Sequence, residues 1–380
     1  MTYEDYKTPG QLIQKLLDDR GWTQRILAVV LGVDETGLNK IVAGKRAVDA
    51  ELALSLDAIF GVKAEIFLAL QKSYDLAMAR VVSRPDPSLA ARARLFNDLP
   101  VADMVKRGWL TGVTDLRNVS DLEAGLCRFF GKTTVEEIEA IPHSWKKTEA
   151  SAASSPAQLA WLYRVRQIAN EMLVAKFSTD TATAALAELQ LLLNSPESAR
   201  KVPRILTDAG IRFVIVESLP AAKIDGVCFW LDARSPVIGM SLRFDRIDNF
   251  WFVLRHELEH VLRGHGLDYA MMDAELEGER GGTGDGVPDE ERVANEAAAN
   301  FCVDQAALSR FISRKTPFFA DRDIVGFART MKVHPGLVAG QLQRHLSRYD
   351  RFRNHMAKIR SVVIPNATAD GWGDVAPVEI

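Results

Sequence analysis

The chain has 380 residues, 47% hydrophobic and 26% charged, so it holds enough apolar material for two or three packed domains and is not a disordered polymer. Its 47 Lys and Arg against 50 Asp and Glu leave a net charge of −3, which argues against coating nucleic acid or an anionic membrane by bulk positive field but not against a local basic patch. Three scattered cysteines, Cys127, Cys228 and Cys302, form no CxxC pair and exclude a disulfide scaffold or a cysteine-rich zinc finger. With no signal-peptide pattern and no apolar run near 20 residues, they predict a cytoplasmic protein without a membrane segment.

In chain order, the first eighty residues predict five short helices. Leu12, Ile13, Leu16 and Leu17 recur at helical spacing and stop at Arg20-Gly21. A second helix, capped by Thr23, carries Ile26, Leu27 and Val30 to the turn residue Gly32. Asp34 can cap a third, with Leu38, Ile41 and Val42, which Gly44 ends. Apolar residues from Leu52 to Phe60 and from Ile66 to Leu70 predict two more. Pro85 and Pro87 mark a linker.

Residues 88–200 read as a helical, chemically quiet connector. Three strand-like runs follow, Phe213–Val216, Gly226–Leu231 and Pro236–Leu242, then a long helix from about Asp248 to Arg263. A glycine-rich acidic stretch, Gly264 to Glu290, has the length of a functional loop. An alanine-rich helix is expected over roughly 290–310, more helix to about residue 360, and a loose tail after Ile364. The expected fold class is α+β, mostly α, with a small sheet.

His256-Glu257-Leu258-Glu259-His260 is an HExxH pattern. On a helix its two histidines project from one face and can close on one metal ion, while Glu257 can reach a metal-bound water as general base. The bland alternative is a buried helix with two satisfied histidines. A catalytic zinc needs a third protein ligand. Glu291, at the start of the next helix, is slightly preferred on geometry over its rivals Glu290 and Glu296.

Residues from about 210 to 345 resemble the ImmA/IrrE family of metallopeptidases, through the strand Val237–Met240, the run Asp245–Phe252, HELEHVLRGHG, and an ExxAN pattern at Glu291-Arg292-Val293-Ala294-Asn295. The resemblance implies a zincin-like domain and names the Glu of ExxAN, Glu291, as third ligand beside His256 and His260, with one Zn2+ per chain. It departs from the family at Ala298–Asp304, where Phe-Ala and Leu-Met-Pro are common. His265, His334 and Tyr269 are candidates to orient substrate or stabilise an oxyanion, though a histidine so placed is more often a helix cap or a surface residue. Cys302 reads as a buried thiol more than an oxidant sensor.

Thr23 to Arg46 has the helix-turn-helix pattern, in which the second helix enters the major groove. Thr36, Asn39 and Lys40 would face bases, beside Asp34 and Glu35, while Gln24, Arg25, Lys45 and Arg46 would hold phosphates. The stretch resembles the XRE-type helix-turn-helix family, and its continuation over residues 64–76 is similar to the HigA-like antitoxin branch. Residues 1–80 hold ten Lys and Arg against eleven Asp and Glu, a net charge of −1. Binding to operator DNA is therefore expected to be of moderate affinity and to use a homodimer on a palindromic site. Asp34 and Glu35, where the family often has Ser and Arg, repel phosphate.

The expected organisation is a helix-turn-helix over 1–80, a helical connector over 81–200, a metallopeptidase core over 201–310, and C-terminal helices with a loose tail over 311–380. Together these imply a DNA-binding regulator, antitoxin-like, with a zinc-dependent endopeptidase domain. The resemblance implies cleavage of a repressor or antitoxin protein under stress; whether this chain is its own substrate stays open, and a toxin is a candidate further partner. The competing reading is a non-catalytic repressor or antitoxin whose zinc domain is structural or senses a ligand. A zinc hydrolase of non-peptide substrates is a third.

Overall fold

A computed structural model describes residues 6–82, 88–139, 155–220, 222–267, 270–274 and 288–373. It is mostly helical with one small mixed sheet, and it divides into two compact units, Met1–Leu89 and Ala90–Ile380. Among the described residues no helix is long and apolar enough to cross a membrane.

The first unit has five helices: α1 (Pro9–Arg20), α2 (Gln24–Leu31), α3 (Glu35–Val42), α4 (Ala50–Phe60) and α5 (Ala64–Val82). Each of the first four begins at a side-chain cap, because a free N–H of the first turn needs an acceptor. Thr8 accepts from the Gln11 N–H at 3.2 Å, Thr23 from Ile26 at 3.3 Å, Asp34 from Gly37 at 2.6 Å and Asp49 from Leu52 at 2.9 Å. Gly21 and Gly32, at φ 63° and 69°, make the left-handed turns that end α1 and α2. The stripes bury Leu12, Ile13, Leu17, Leu27, Leu38, Leu56 and Phe67 in one core.

In the second unit the segments read separately as connector, core and C-terminal helices share one compact body. Its sheet has the order β4-β2-β3-β1-β5, built from β1 (Arg212–Val216), β2 (Ile224–Trp230), β3 (Pro236–Met240), β4 (Met271–Ala274) and β5 (Thr368–Asp370). β1 runs parallel to β3 and β5, whereas β2 is antiparallel to β3 and β4. Both faces are covered, which is why β1 to β3 read as continuous apolar runs. Phe213, Ile215, Cys228, Ile238 and Met240 face a core shared with the helix Ile247–Arg263; Val214, Val216, Val227, Phe229 and Val237 face the other, which includes the helix Pro156–Glu171.

The quiet connector therefore supplies most of the core on one face of the sheet. Trp161, fully buried, donates its indole N–H to the Val216 carbonyl at 2.9 Å, which pins the Pro156–Glu171 helix to β1.

Three expectations need correction. The tail is not loose through residue 373: β5 pairs with β1, and Asp370 accepts hydrogen bonds from Trp109 at 2.9 Å and from Arg164, both groups lying inside the unit. Burial pushes the Asp370 carboxyl above its ordinary range, against the opposing pull of Arg164 and Trp109. Within the stretch read as an acidic loop, Met271–Ala274 adds a strand to β2. The single helix expected over 290–310 is two, Asp289–Cys302 and Gln305–Lys315, because Asp304 breaks the run and caps the second by accepting from the Ala307 N–H at 2.6 Å.

Candidate functional site

The helix Ile247–Arg263 is buried over almost its whole length, with Phe250, Trp251, Val253, Leu254 and Leu258 in the core. Charged groups at its two ends hold it in place. Arg246 donates to Asp248 and, at 2.9 Å, to Gln343, while Gly340 of the helix Pro335–Leu346 comes so close that an added Cβ would lie 2.2 Å from an Asp248 carboxylate oxygen. Towards the other end Glu259 accepts from Arg255 at 2.6 Å and from Arg263 at 2.7 Å. Burial works to raise the Glu259 carboxyl, but the two arginines outweigh it and hold it below its usual range.

The structure brings His256, His260 and Glu291 together. The two Nε2 atoms are 3.0 Å apart, and the Glu291 carboxylate lies 3.2 Å from His256 and 3.6 Å from His260. Both histidines are fully buried and Glu291 is one-fifth exposed, so the cluster opens on the carboxylate side. Two ligands each about 2.0–2.1 Å from one tetrahedral ion would stand about 3.3 Å apart, so this donor set fits zinc in spacing and in type.

Glu291 reaches the histidines because it sits in the first turn of Asp289–Cys302, whose small residues Ala294 and Ala298 are buried against the histidine helix. Its sequence rivals turn away. Glu290 is exposed, and Glu296 is exposed and bonded to Arg292 at 3.1 Å.

Glu257 is also fully buried. Its carboxylate lies over Gly226 of β2, where an added Cβ would come 2.1 Å from Oε1, so only glycine leaves room for it there. Sequence reading missed Gly226, although an isolated glycine inside a strand pattern is a signal of close approach.

His265 lies beside the cluster, with Nδ1 3.0 Å from His260 Nδ1. Its ring therefore meets His260 on the nitrogen opposite the one that faces His256. His334 is committed elsewhere: it is the N-cap of Pro335–Leu346, accepting from the Gly336 N–H at 3.0 Å. Burial lowers its pKa, against the pull of Glu197. Tyr269 lies outside the described residues. Cys302 is buried, as expected of a structural thiol.

In the first unit Arg25, Thr36, Asn39, Lys40, Lys45 and Arg46 are all exposed around α2 and α3. Gln24 is half-buried and donates to Gln14 at 2.9 Å. Asp34, one of the carboxylates placed near bases, is engaged as the cap of α3.

This arrangement defines a helix-turn-helix domain, the class of fold that presents its second helix to DNA. Residues 13–67 match the Helix-turn-helix family (HTH_3). Over 79 residues, 21% of this chain and 84% of the relative, the chain is 28% identical to the HTH-type transcriptional regulator YddM of Escherichia coli (strain K12). It is 36% identical to virulence-associated protein I of Dichelobacter nodosus over 72 residues, 19% of this chain and 67% of that protein. Through its N-terminal unit, the chain belongs to the XRE-type helix-turn-helix family.

Proposed function

We propose that the protein is a DNA-binding transcriptional regulator whose second unit is a zinc-dependent endopeptidase acting on a regulator protein, either itself or a repressor or antitoxin. The observation that carries the enzymatic part is the convergence of His256, His260 and Glu291 beside a buried Glu257.

His256, His260 and Glu291 would hold the ion. Bound there, Zn2+ supplies a Lewis acid that makes a water more acidic and polarises a peptide carbonyl. Glu257 takes the proton of the attacking water and passes it to the leaving amine. The walls of this chemistry come from the protein itself. Gly226 leaves space for the Glu257 carboxylate, and the packed helix behind it excludes bulk water.

On the DNA side, Asn39 and Lys40 meet base edges and Arg25, Lys45 and Arg46 meet phosphates. With a net charge of −1 over residues 1–80, affinity rests on a homodimer reading two half-sites of a palindrome.

Two experiments test the two parts. Zinc content and cleavage of purified repressors or antitoxins, and of the chain itself, are compared for wild type and Glu257→Gln. Wild type is expected to bind about one zinc and to cut; Glu257→Gln is expected to bind zinc and not cut. Zinc binding without cleavage by wild type would instead support the non-catalytic regulator. Replacing Asn39 and Lys40 by Ala should weaken binding to the protein's own promoter by roughly tenfold or more, and unchanged binding sinks the assignment of α3 as the reading helix.

A further inference from the structure

We infer that His265 is a positioning residue: it sets the orientation and the proton of His260 so that the Nε2 lone pair of His260 points to the metal position. This deepens the metal-site reading above and rests on it. His260 touches its neighbours with both ring nitrogens, Nε2 at 3.0 Å from His256 Nε2 and Nδ1 at 3.0 Å from His265 Nδ1. For His260 to offer Nε2 to a cation, its ring proton must sit on Nδ1, and that proton then needs an acceptor. His265 Nδ1 is that acceptor, with the proton of His265 on its own Nε2. The reverse arrangement, His265 donating to His260 Nδ1, would put the His260 proton on Nε2 and close the site to a metal.

The backbone places His265 for this task without help from its side chain. A residue five positions after His260 on a continued helix would lie about 140° around the axis. Instead Gly264, at φ 71°, ends the helix in a left-handed turn, and the His265 N–H bonds the His260 carbonyl at 2.9 Å. The His265 carbonyl accepts the Trp230 indole N–H at 2.8 Å, and Trp230 is itself braced edge-to-face by Phe177 with centroids 5.2 Å apart. Gly266, at φ 84°, lies so close to β2 that an added Cβ would stand 2.8 Å from the Cys228 carbonyl oxygen. Strand β2 thus holds the turn against the helix end, and the turn holds the ring against His260.

The test uses the full chain and three proteins: wild type, His265→Ala, and His265→Asn, whose side-chain oxygen can stand where Nδ1 stood. Zinc affinity is measured by competition with a chromophoric chelator, the visible spectrum of the cobalt-loaded forms is compared, and histidine tautomers of the metal-free forms are read by 15N NMR. His265→Ala is expected to lose about 10- to 100-fold in zinc affinity with an altered cobalt spectrum. His265→Asn should recover most of the affinity, and metal-free wild type should carry the His260 proton on Nδ1.

Zinc affinity of His265→Ala within twofold of wild type overturns the inference, as does a His260 proton on Nε2 in the metal-free wild type. If wild type binds no zinc, the metal-site reading fails, and the tautomer measurement still decides the role of His265. Should His265→Ala not fold, Trp230→Phe removes the bond to the His265 carbonyl while keeping an aromatic ring against Phe177. A few-fold weaker zinc binding is then expected, and unchanged binding counts against the inference.

Discussion

In the first unit most polar side chains of α2 and α3 stand in solvent, on helices closed at their starts by caps three residues away and at their ends by Gly32 and Gly44. In the second unit the polar cluster is mostly buried: its members come from one helix and from another about 35 residues on, and a strand glycine about 30 residues back makes room for Glu257. The contrast teaches where each kind of function is stored. A surface that touches DNA needs only correct local geometry and exposed side chains. A site that holds a cation and a base needs water excluded and three elements locked together, so distant packing becomes part of its chemistry.

The comparison can be broken by three substitutions, one remote from the buried cluster, one beneath it and one in the first unit. The largest effect is expected for Asp370→Ala, which takes the carboxylate from a buried Arg164 and removes the acceptor of the Trp109 indole. A loss of about 3–5 kcal/mol is expected in guanidinium unfolding of the second unit, as for breaking a buried pair. A loss under 1 kcal/mol would mean that β5 is incidental to the fold that carries the site.

Gly226→Ala comes next. Its new Cβ would stand 2.1 Å from Glu257 Oε1 and displace it, so stability should fall by about 1–3 kcal/mol. Cleavage should fall with it, while zinc affinity, which depends on other side chains, changes less than tenfold. Parallel melting, chelator-competition and cleavage assays separate the three effects.

The smallest effect should come from Asp34→Ala in the first unit. Losing the α3 cap costs about 1 kcal/mol in the melting of that unit, and zinc affinity should not move. A change in zinc binding here would break the contrast between a locally built surface and a remotely assembled site.

Much of the first unit is legible in the amino-acid sequence, because its signals are short-range: Thr23 and Asp34 as caps, Gly32 as the turn, and leucines at helical spacing. The pair His256 and His260 is legible for the same reason, since four residues on a helix define one face. Glu291 is one of three candidates on residue geometry, and its two rivals are excluded by where the turn of Asp289–Cys302 aims them.

What sequence reasoning misses is non-local. β5 is three residues long, and only its pairing with β1 separates it from a tail. The connector shows no motif, yet it supplies the second layer of the sheet through Trp161 and its neighbours. His265 sits at a spacing that helical periodicity does not reward, and a left-handed glycine returns it to His260.

The amino-acid sequence by itself determines the XRE-type helix-turn-helix unit, the order of the segments, and the residue types of a candidate metal site, because caps, turns and helical faces are set by neighbours a few positions away. The tertiary structure decides which carboxylate faces the histidines, why Gly226 sits under Glu257, where His334 is spent, and that His265 stands behind His260. Those choices depend on which surfaces meet across the sheet and between the packed helices, and burial there leaves each polar group a small set of partners.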